Sequence, residues 1–154
     1  MSTFFDSKAK PVISFIARFG LAIVWLYSGW VKFNDHMATM QSIRAYELFS
    51  EGQVSFIANT LPVLEMLLGL LMLFGVFTRI IGGISAVIFV VFIAGIISAW
   101  ARGLSIDCGC FGTGGYNPNV TAWDYISEIL RDTVFLIAAL WSIKWPFRKF
   151  AIYS

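Results

Sequence analysis

The chain has 154 residues, of which 58% are hydrophobic and only 13% charged, and its mean hydropathy is +0.79. An average soluble domain carries roughly 25% charged residues, so this chain lacks the polar surface that a water-soluble enzyme or a disordered segment needs. A net charge of +2 is too mild to imply a polyanionic partner, nucleic acid included.

The expected solvent is lipid, and four stretches approach the roughly 20 apolar residues that cross it. The first, about 12–31, reads VISFIARFGLAIVWLYSGWV. It is longer than a signal-peptide core and no small-x-small site follows it, so it is expected to be a retained helix. The connection 32–54 comes next. Within it, residues 37–49 place Met40, Ile43 and Glu47 at helical spacing, with Tyr46 and Phe49 beside them. Either a short interfacial helix or an ordered loop fits, and the helix is adopted here. The second stretch, about 55–78, contains Pro62, Glu65 and Gly69. A tight link with Arg79 leads into the third, about 80–100, which holds no charge. A second connection, 101–122, precedes the fourth, about 123–147, which has acidic residues in its first turns.

The apolar runs are continuous, not alternating, so helices are expected and a β-barrel is not. The expected fold is all-α: one transmembrane domain over 1–154, a four-helix bundle with a short interfacial helix in its first connection. Lys8, Lys10, Arg79, Lys144, Arg148 and Lys149 fall on one side, against Lys32, Arg44 and Arg102 on the other. The positive-inside rule then puts both termini in the cytoplasm and both long connections outside.

The second connection carries the most distinctive chemistry. Both cysteines, Cys108 and Cys110, lie in a stretch with five glycines. As a redox pair they would switch between dithiol and disulfide, with Gly109 tolerating the dihedrals of a small ring. A Cys-x-Cys bridge lies near the geometric limit, so it is expected to be strained and easily reduced. As metal ligands they would need His36, Met37 or Met40 brought beside them. Two thiolates without clear third and fourth partners make a weak zinc pattern, and no metal is assigned. The third alternative is a bridge, or two buried thiols, that only shapes the loop.

Ionisable groups inside spans are functional candidates by default. Glu65 stands about ten residues into its stretch, roughly 15 Å deep. Its expected partner is Arg131, with Arg18 or Asp132 nearby. Such a polar centre either fixes helix register or forms a pocket for a quinone or similar head group, with Tyr27, Ser28 and Lys32 at its mouth. Glu65 or Asp132 could carry the proton of a coupled redox step.

Arg18-x-x-Leu21-Ala22, Ser28-Gly29-x-x-Lys32-Phe33, Leu61-Pro62-x-x-Glu65, Gly69, Gly75, Arg102-Gly103, Asp107-Cys-Gly-Cys-Phe-Gly112 and Arg131-Asp132 occur in that order. This pattern resembles the DoxX-like membrane proteins, and more closely their methylamine-utilisation MauE branch. The Cys-Gly-Cys-Phe-Gly segment is its most specific part. Tyr46-Glu-Leu-Phe-Ser departs from the Pro-ended segment usual there. The resemblance implies a multi-pass protein of the bacterial plasma membrane, engaged in extracytoplasmic thiol–disulfide chemistry with thioredoxin-like or cysteine-bearing partners. It implies that Cys108 and Cys110 are the redox pair and that Glu65, Arg18 and Arg131 are the buried polar set. The competing expectation is a non-catalytic subunit of a respiratory or maturation complex. A small transporter has little support, since no repeat is present.

Overall fold

The computed structural model describes residues 2–107, 115–116 and 118–145, with side chains described for 9–106 and 118–145. Among the described residues five helices follow one another: α1 (Ser2–Asn34), α2 (His36–Ala45), α3 (Glu51–Phe74), α4 (Thr78–Ala101) and α5 (Ala122–Lys144). Between α4 and α5 lie two short strands, β1 (Ile106–Asp107) and β2 (Gly115–Tyr116). They pair antiparallel, Ile106 opposite Tyr116 and Asp107 opposite Gly115.

Among the described residues, three helical segments are long and apolar enough to cross a membrane: Ala9–Asn34, Glu51–Phe74 and Thr78–Ala101. The protein is therefore a multi-pass membrane protein. The fourth expected span is helical over 23 residues, but Asp124, Glu128, Arg131, Asp132 and Lys144 make α5 more polar than the others.

The helix ends follow from local chemistry. Asp35 ends α1 and caps α2, its carboxylate accepting the Ala38 N–H at 3.0 Å. Ser50 and Gln53 form a capping box at the start of α3. Gly75, at φ 73°, closes α3 four residues before the expected boundary. Its N–H reaches the Met72 carbonyl and that of Val76 reaches Leu71, the paired bonds of a left-handed glycine stop. The first-connection helix is shorter than expected. It stops at Ala45, and Glu47 turns to φ 54°.

α1 packs closely along α3, and α4 along α5. Glycine allows the first pairing. A Cβ on Gly29 would stand 2.8 Å from the Pro62 carbonyl, and one on Gly69 would stand 2.9 Å from the Leu26 nitrogen. Trp25 joins the two helix pairs. It is fully buried, stacks on Phe89 at 4.8 Å and donates its indole N–H to Ser85 at 2.9 Å. Leu21, Leu68, Met72, Ile81 and Ala139 complete this core. By contrast, α3 and α4 meet little beyond their connecting turn. Val63, Leu67 and Leu70 of α3, Val87, Val90 and Val91 of α4, and Val134, Ile137 and Leu140 of α5 face outward. That surface suits contact with lipid chains.

Candidate functional site

Three polar arrangements meet near the end of the bundle where α1 stops and α2 begins. The first is a buried ion pair. Ser28 and Lys32 lie one turn apart on α1, and side chains lean towards a helix's N-terminus, so Lys32 reaches back over Ser28. Its ammonium donates to Ser28 Oγ at 2.6 Å and to the two Glu65 oxygens at 3.1 and 3.2 Å. Ser28 Oγ donates to Glu65 Oε2 at 3.1 Å. Lys32 is 4% exposed and Glu65 0%. Two charges this deep persist because each compensates the other and hydrogen bonds serve the carboxylate. The expected partner of Glu65 was Arg131; the partner is Lys32. Gly29 brings α3 against the same stretch of α1, so the nearer cation takes the carboxylate.

The second arrangement lies on α5. Arg131 turns to its neighbour Asp132, its Nε and Nη2 both 3.2 Å from Oδ1. Asp132 is fully buried, and its Oδ2 has no hydrogen-bond partner among the described residues. The charges of Arg131 and Asp132 act on Lys32, so the two clusters are electrostatic neighbours.

The third is the base of the cysteine segment. Ile106 is buried with Ala45 and Ala99. Its N–H donates to the Tyr125 hydroxyl at 3.3 Å, and that hydroxyl donates to the Leu104 carbonyl. Trp100 stacks on the Tyr125 ring at 5.7 Å. The Arg102 guanidinium donates to the Tyr46 carbonyl, and β2 packs against α2. The β1–β2 base is thus tied to α2, α4 and α5. Cys108 and Cys110 belong to the segment 108–114 between these strands and lie outside the described residues, as does any pairing between them.

A cavity of about 520 Å³ lies between α3 and α4 and under α2. Lys32 and Tyr46 line it together with mostly apolar groups. Tyr46 lies against Gly95 of α4, and burial holds its phenol above the usual range, so it stays protonated at neutral pH. The same residue therefore touches the cavity and, through its carbonyl, the arginine beside the cysteine segment.

Two expected site residues lie elsewhere. Tyr27 is 61% exposed on the outer face of α1, away from the ion pair. Arg18 stands 14 residues before Lys32, about 21 Å along the helix. It binds the last turn of α3, with Nε and Nη2 each 2.9 Å from the Met72 and Leu73 carbonyls. A cation at a helix C-terminus complements the negative end of the helix dipole, which is a structural role. Tyr46 and Tyr125 were not expected in the site. Their sequence signal is that each is an aromatic with a hydroxyl in or beside a long connection.

The family described as methylamine utilisation protein MauE matches residues 10–144. No curated relative and no solved structure matches the chain. The family match spans the helices, the Lys32–Glu65 pair, Arg131-Asp132 and the cysteine segment alike, and the chain belongs to the MauE family.

Proposed function

We propose that this protein is an integral membrane component of extracytoplasmic thiol–disulfide chemistry, in which Cys108 and Cys110 exchange electrons with a soluble thioredoxin-like or cysteine-bearing partner. The carrying observation is that the chain's two cysteines stand one residue apart in a segment whose base is fastened to three helices. A partner thiolate attacks one sulfur of the Cys108–Cys110 disulfide, forming a mixed disulfide and releasing the other sulfur as a thiolate. The partner's second thiol then closes its own disulfide and frees the first cysteine. Two electrons and two protons pass to the pair. Reoxidation returns them to a membrane-soluble acceptor such as a quinone, which becomes the quinol. A strained Cys-x-Cys bridge favours this exchange over a purely structural role.

In this reading α5 is a fourth span. Phe135, Leu136 and Ala139 pack on the common core, and its far side is aliphatic. α2 lies at the membrane surface, both termini are cytoplasmic and the cysteine segment is outside. The wider kinship with DoxX-like proteins belongs to the same reading and rests on the motif order.

The test is trapping in membranes. A Cys110→Ser variant should accumulate a mixed disulfide with a soluble extracytoplasmic protein, and the Cys108→Ser/Cys110→Ser protein should accumulate none. Normal partner oxidation by the double variant rejects the proposal. A second reading, a non-catalytic subunit of a larger membrane complex, draws on the broad aliphatic faces of α4 and α5. Stoichiometric co-purification with such a complex, together with inert cysteines, favours it.

A further inference from the structure

We propose that the end of the bundle where α1 begins and α5 finishes binds the phosphate headgroup of an anionic phospholipid, with Lys10 and Lys144 holding its charge at Trp145. Ser14 brings the two helices together there. Its Oγ donates to the Trp145 carbonyl at 2.7 Å and accepts the Trp141 indole N–H at 3.0 Å. The Lys10 ammonium then stands 5.3 Å from the centre of the Trp145 ring, and that of Lys144 stands 4.6 Å from it. Each distance suits attraction to the ring face. Two ammonium groups drawn to one indole from different helices also repel each other, and an anion beside them offsets that repulsion. Arg79 adds a third positive charge at the same end. It stands one turn before Gly82, where a Cβ would lie 3.1 Å from the Ala139 carbonyl and 3.3 Å from Ile143 Cγ1 of α5.

The chain does not balance this charge itself. In the sequence, six of the eleven basic residues flank the spans on this side, with one of the nine acidic ones. That acid, Asp6, precedes Lys10 by one helical turn and balances one charge at most. The neighbouring surface fixes the kind of anion. Ile13 on α1, and Ile137 and Leu140 on α5, are exposed within two turns of the lysines. A phospholipid sets its phosphate on the ammonium groups and its acyl chains over these side chains, whereas a free phosphate uses the charges alone. Trp141 and Trp145, with ring centroids 4.4 Å apart, supply the amphipathic rings that settle at headgroup depth. The lysine stems lie along the apolar surface while their charges reach the headgroups. This binding depends neither on the thiol chemistry nor on which side of the membrane the termini occupy.

The experiment uses the full chain in detergent micelles, titrated with dioleoylphosphatidylglycerol or dioleoylphosphatidylcholine, with bound lipid counted by native mass spectrometry. Phosphatidylglycerol should bind about tenfold more tightly or better. Lys144→Gln should weaken it about fivefold and Lys10→Gln/Lys144→Gln about thirtyfold, while Lys10→Arg/Lys144→Arg should retain it. Arg44→Gln, an equal loss of charge at the opposite end, should leave it unchanged. Inorganic phosphate in large excess should not displace the lipid. Equal affinity for the two lipids, indifference to the double glutamine change, an equal loss with Arg44→Gln, or displacement by inorganic phosphate overturns the proposal. The lipid comparison and the phosphate arm use the parent chain, so they decide the matter even where a variant fails to fold.

Discussion

Replacing Lys32 with methionine keeps the length of the side chain and removes its charge. Glu65 then loses contacts at 3.1 and 3.2 Å and keeps only the Ser28 hydroxyl, at 3.1 Å. Interhelical hydrogen bonds in membranes contribute only about 0.6 kcal/mol on average, so their loss is the minor part. The larger part is a carboxylate left buried without its counter-charge, for which breaking a buried pair costs about 3–5 kcal/mol. The double change Lys32→Met/Glu65→Leu removes both charges. It should return stability to within about 1 kcal/mol of the parent, or above it. The assay is equilibrium unfolding in mixed micelles, followed by helical circular dichroism, across the four members of the cycle. The expected coupling between the two sites is several kcal/mol, far beyond the additivity error of about 0.5 kcal/mol. A single variant costing less than about 1 kcal/mol, or a double variant costing the sum of the singles, refutes the pairing.

Gly69→Leu should destabilise the α1–α3 contact by about 1–3 kcal/mol, because even a Cβ there would lie 2.9 Å from the Leu26 nitrogen; unfolding in the same micelles measures it. Tyr125→Phe removes the hydroxyl joining the Leu104 carbonyl to the Ile106 N–H, at a cost of about 1–3 kcal/mol. Amide hydrogen exchange at 104–107 should accelerate, and unchanged exchange there rejects this account of how the base is held. Arg44→Ala should leave the unfolding midpoint unchanged, since its pair with Glu51 is exposed at 44% and 73% and solvent screens such pairs. Tyr46 is one pH-sensitive group. Its raised folded value means that stability from the protonated phenol is complete below the unfolded value of 10.0 and declines as pH climbs above it. Ultraviolet titration should show a late-ionising tyrosine that Tyr46→Phe removes.

The spans were readable because lipid forces continuous apolar runs, and Glu65 stood out because a charge inside such a run is rare. Its partner was not readable. Which cation meets it depends on how α1 and α3 are rotated against each other, and Gly29 and Gly69 decide that through close approach. Lys32 looked like a mouth residue because it sits near the end of α1, yet its stem leans back one turn. The apolar spacing through Glu47 pointed to a longer α2, but periodicity does not register that the backbone reverses at φ 54°. Successive helix positions point about 100° apart, yet Arg131 is long enough to fold back onto its neighbour Asp132. The cysteine pair is visible in the sequence, while the anchoring of the β1–β2 base through Tyr125 and Tyr46 arises from contacts distant in sequence.

The uneven cohesion between helix pairs has a mechanical consequence. α1 with α3 and α4 with α5 form two firm leaves, joined at the turn after Gly75, along α1 and α5 where Ser14 bonds Trp141 and Trp145, and midway by Trp25 on Phe89. Along the α3–α4 edge the leaves share little adhesion of their own. That edge is therefore the softest seam of the bundle, where the least packing has to be given up for the two leaves to part.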